Sequence, residues 1–88
     1  TNIGKAIDDL KNQGVWIYAF DMGGDLMYDQ DMTGSVAVVV GSEGFGISRL
    51  VREKCDFVVS IPMKGHVNSL NASNAAAIVM YEIVKQRL

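Results

Sequence analysis

Cysteine occurs once in these 88 residues, as Cys55, and proline once, as Pro62. A lone cysteine excludes an internal disulfide and offers no metal-ligand set, which matches a reducing compartment such as the cytoplasm better than a secreted scaffold. Histidine is as scarce: His66 has no cysteine, serine-plus-acid pair or metal ligand at a spacing that would make it a general base, so it reads as a loop residue. No apolar run approaches the roughly 20 residues that a membrane helix requires, and no signal-peptide core opens the chain. An excess of positive charge is missing too. The formal net charge is −2, which argues against a nucleic-acid surface formed by this segment alone.

Apolar residues make up 49% of the chain and charged ones 20%, the balance of a folded segment and not of a disordered tail. A chain of this length buries only about 60–65% of its unfolded surface, so a second chain or further residues would add to a marginal core. Charge is distributed unevenly. Asp21, Asp25, Asp29 and Asp31 crowd one stretch, whereas Arg49, Arg52, Lys54, Lys64 and His66 fall between a glycine loop and the last helix.

Helical spacing of Ile3, Ala6, Ile7 and Leu10, with Gly14 just beyond, predicts an amphipathic helix over about 3–13. The runs VWIYAF (15–20), SVAVVV (35–40) and FVVSI (57–61) are β-branched, nearly continuous and apolar, as strands of a parallel sheet covered on both faces are. Residues 21–34 are polar and glycine-rich and read as a long loop with solvated aspartates, whose spacing does not fit a calcium loop. Ser48 is placed to cap a helix over 48–54, and Pro62 stops the third strand. In the last segment Ala72, Ala76, Val79 and Ile83 mark one helical face, with Ala75, Ile78 and Glu82 on another and Met80 beside them, so this helix is expected to be buried on two sides. The order helix, strand, loop, strand, helix, strand, helix predicts an α/β fold with a parallel sheet and flanking helices. Three strands are few for a whole sheet, and a single partial domain over 1–88 is expected.

The second strand empties into GSEGFG, residues 41–46. Glycines after a strand let backbone N–H groups approach a ligand, but Gly41, Gly44 and Gly46 do not form the dinucleotide pattern, and the loop holds a carboxylate, Glu43, where a phosphate loop would hold lysine. A tight turn from strand to helix accounts for the glycines equally well. Further on, Ser69, Asn71, Ser73 and Asn74 open an otherwise apolar helix, more polar groups than capping requires. These features leave two classes open: an enzyme, and a nucleotide-binding or structural α/β module without transferase chemistry.

The stretch VVVGSEGFGISRLVREKCDFVVSIPM, followed by VNSLNASNAAAIVMYE, resembles the second and third signature motifs of the SpoU, or TrmH, family of RNA ribose 2′-O-methyltransferases, in the SPOUT superfamily. The resemblance covers about residues 14–88. It implies the C-terminal portion of a trefoil-knot α/β fold, S-adenosylmethionine as methyl donor, ribosomal RNA (23S rRNA above all) or transfer RNA as substrate, and a homodimer formed through the C-terminal helix region, with no metal and no membrane partner. Carried over by position, the cofactor contacts fall on Gly41, Ile61 and Leu70, and the residues around the reacting ribose, a guanosine by the wording of the motifs, are Glu43, Ser69 and Asn71. The family's first motif, an asparagine followed by an arginine that activates the hydroxyl, has no counterpart in these residues. The isolated segment is therefore expected to be inactive. A donor that is a nucleoside sulfonium without phosphate explains a glycine loop that lacks lysine.

Overall fold

A computed structural model describes residues 2–41, 46–62 and 72–88. Helix α1 spans Ile3–Asn12, strand β1 Trp16–Leu26, a 3₁₀ turn Met27–Asp29, β2 Val36–Val40, α2 Arg49–Lys54, β3 Phe57–Ser60 and α3 Ala72–Gln86. The three strands form one parallel sheet, as the apolar runs predict, and their order is β2-β1-β3.

The starts of α1 and α2 are capped by side chains. Asn2 Oδ1 accepts from Lys5 N at 3.1 Å and Ser48 Oγ accepts from Val51 N at 3.3 Å, each satisfying an N–H that the first turn leaves free. The Ser48 cap is legible in the sequence. No cap is assigned to α1 from the sequence, and Asn2 supplies one. Past α1, Gly14 takes a left-handed φ of 82° and its N–H bonds Lys11 O, which ends the helix.

Central strand β1 carries the core. Ile17 and Ala19 are fully buried, and α1, with buried Ile7, lies against β1 and α2. On the opposite face Tyr18 and Phe20 join Val59, Met27, Met32 and Val79 of α3, flanked by Val36, Val38, Val40, Ile61 and Ile83. Val79 and Ile83 thus occupy the inward stripe expected of α3, whereas Ile78 and Met80 remain exposed.

The segment after residue 20 departs from the expected loop. β1 leaves the β3 ladder after Phe20, which pairs with Val59, and returns at Asp25, so that residues 21–24 make an excursion before the strand runs on to Leu26. Glycine permits this. Gly23 has a φ of 82°, and a Cβ on Gly24 would lie 2.6 Å from the Val58 carbonyl carbon and the Val59 nitrogen, so the two backbones close only without a side chain. Ser60 Oγ then donates to Gly24 O at 3.0 Å. Polarity and glycine content, which read as loop, here serve an irregular strand.

A candidate ligand site at the carboxyl edge of the sheet

Because all three strands are parallel, their carboxyl ends share one edge of the sheet, the side on which open α/β sheets hold ligands. At the end of β2, Gly41 sits with its missing side chain against the backbone of Gly46: a Cβ there would collide with the Gly46 carbonyl and Cα. The two ends of the glycine loop therefore meet backbone to backbone. Gly46 itself has a φ of 67°, and a Cβ on it would lie 3.0 Å from Asp21 Oδ1.

Asp21 stands at the start of the β1 excursion, with its side chain only 18% exposed. Its Oδ1 accepts from Met22 N at 2.8 Å and its Oδ2 accepts from Arg52 Nη1 of α2 at 3.2 Å. From composition Asp21 belongs to a solvated acidic loop and Arg52 to a cationic surface; the structure pairs them beneath the closure of the glycine loop. The signal that could have found Asp21 is its position directly after the apolar run, at a strand's carboxyl end. The other aspartates of that stretch behave differently. Asp31 is exposed, and hydrogen bonds from the Thr33 hydroxyl and N–H hold its carboxyl below the usual carboxylate range.

Ile61, just past β3, is partly buried and packs against the core cluster. With β1 between them, the ends of β2 and β3 lie about 10 Å apart, two strand spacings. Of the residues singled out by the motif resemblance, Gly41 and Ile61 thus flank one edge. Glu43, Ser69, Leu70 and Asn71 lie outside the described residues, as does the chain path through 63–71 on which a knot would depend. A glycine closure with no lysine in its loop fits a nucleoside held by backbone groups better than it fits a phosphate. Among the described residues no group of three or more His, Cys, Asp or Glu side chains is arranged to hold a metal. Cys55 is half-buried; burial and, to a lesser degree, Asp56 push its thiol up, which leaves it protonated and unreactive at neutral pH.

The same arrangement recurs in known proteins. The model of the SpoU rRNA Methylase family matches residues 1–81. A Staphylococcus aureus protein assigned to the TrmH family of tRNA/rRNA methyltransferases is 51% identical over 90 residues, which cover 99% of this chain and 36% of that protein. The chain thus spans about a third of the length of such relatives. Among solved structures, the SpoU methyltransferase AviRb from Streptomyces viridochromogenes, in complex with AdoMet, superposes with a TM-score of 0.85 at 37% identity, over 96% of this chain and 36% of that one. An RNA 2′-O ribose methyltransferase superposes with a TM-score of 0.89 at 30% identity, over 99% and 34%. With the family model matching residues 1–81 and a relative 51% identical over 99% of this chain, the chain belongs to the SpoU rRNA methylase family.

Proposed function

We propose that the chain is part of the catalytic domain of an S-adenosylmethionine-dependent methyltransferase that modifies a ribose 2′-oxygen, with ribosomal RNA favoured over transfer RNA and guanosine as the favoured nucleoside. The observation that carries the reading is the backbone-to-backbone closure of Gly46 on Gly41 at the carboxyl edge of the sheet, the edge at which Ile61 follows β3.

When bound, S-adenosylmethionine supplies an electrophilic methyl group. Gly41, Ile61 and Leu70 would hold its adenosine portion. Glu43, Ser69 and Asn71 would surround the ribose hydroxyl, orienting its oxygen and receiving its proton as the oxygen–carbon bond forms and the sulfur–carbon bond breaks. The arginine of the family's first motif is the missing participant, so the 88 residues alone are expected to be inactive. Losing such a group costs about two to four orders of magnitude. The knot, a cytoplasmic location and a homodimer through α3 belong to the same proposal. The dimer is supported by the exposed apolar side chains of α3, namely Ile78, Met80, Tyr81 and Val84.

The test is methyl transfer by the full-length protein from labelled donor to ribosomal and transfer RNA, with the product nucleosides resolved by mass spectrometry. A 2′-O-methylnucleoside is expected. Base methylation, or no transfer to either RNA, contradicts the proposal.

A further inference from the structure

Asp21 and Arg52 come from segments 31 residues apart and meet where no motif places a functional residue. Three observations converge on them. The Asp21 carboxylate is mostly buried and uses both oxygens, one on Met22 N and one on Arg52. A Cβ on Gly46, the exit of the glycine loop, would lie 3.0 Å from that carboxylate, so the loop exit adjoins it. Arg52 belongs to α2, the helix into which the loop leads. The carboxylate therefore bonds the end of β1 and the following helix and adjoins the loop exit.

We propose that the Asp21–Arg52 pair is a positioning clasp that sets the closure of Gly46 on Gly41 and with it the shape of the donor site; the inference rests on the donor site proposed above. Asp21 and Arg52 touch neither donor nor RNA in this account and act through the loop. The pair is partly exposed, Arg52 to 39%, and such pairs contribute little to global stability. Its effect is local. Freed from the carboxylate, the Gly46 segment gains alternative positions, and ordering them again lowers affinity for any ligand that needs the closed loop.

The experiment uses the full-length protein with Asp21→Asn, Arg52→Ala, the double variant and the charge swap Asp21→Arg with Arg52→Asp. Two readouts are taken: amide hydrogen exchange over residues 41–47 without ligand, and S-adenosylmethionine affinity by calorimetry. The clasp predicts faster exchange in each single variant, donor affinity lower by about five- to tenfold, a double variant no worse than either single one, and a thermal midpoint close to the wild type. Additive effects in the double variant, or unchanged exchange and affinity in the single ones, overturn the clasp while leaving the donor site standing. A wild type that does not bind the donor overturns both.

Discussion

Gly41 tolerates no side chain because the Gly46 backbone occupies the place where a Cβ would go. Gly41→Ala must push the loop exit away from β2, and a displacement of about 1 Å at a site of this kind costs roughly a hundredfold in turnover. Steady-state kinetics of the full-length variant should show that loss, with the fold intact by circular dichroism; wild-type turnover would mean that the glycine closure does not shape the site. The placement of Gly41 and Ile61 at the carboxyl ends of strands was legible in the sequence, because both close β-branched apolar runs. The pairing of Asp21 was not legible: its place after an apolar run is a signal, but one aspartate among four looks solvated, and Arg52, 31 residues on, meets it only in the fold.

Elements were easier to read than their junctions. The strand cores and α2 emerge where their spacing predicts, whereas β1 runs six residues past Phe20 because Gly23 and Gly24 permit a backbone route that composition assigns to loop. The end of α3 shows a second junction that periodicity cannot reveal. Gln86 Oε1 accepts from Met32 N at 2.7 Å, while its Nε2 donates to Gln30 O at 3.0 Å and to the buried Glu82 at 2.8 Å. Arg87 adds bonds to Met32 O and Gly34 O. These contacts fasten the link between β1 and β2 to the last helix and keep Met32 buried. Gln86→Ala strands the Met32 N–H and the Gln30 carbonyl, each worth about 1–3 kcal/mol when left unpaired in the interior. Urea unfolding should show a loss of about 2 kcal/mol or more. A loss below about 0.5 kcal/mol would mean that water replaces the glutamine and that the junction is not closed.

At the scale of the whole molecule, the outward side of α3 is an apolar surface that no other described element covers. Ile78, Met80, Tyr81 and Val84 are exposed, and Ala77, Ile78 and Tyr81 line a groove of about 350 Å³ together with Met27, Tyr28 and Glu82. If a second copy covers this side, Ile78→Glu leaves a charge unpaired at the interface and shifts the protein to monomer in sedimentation at tens of micromolar. A wild type already monomeric there, or a variant that stays dimeric, would assign that side another role.

The central claim is that the carboxyl edge of the sheet holds S-adenosylmethionine. Titration of the donor into the isotope-labelled full-length protein, followed by amide NMR, locates the site directly. The account predicts saturable shifts concentrated at Gly41, Gly46, Ile61 and Asp21, with Trp16, Val36 and Phe57 at the opposite edge unmoved. No binding, or shifts concentrated at that opposite edge, would contradict it.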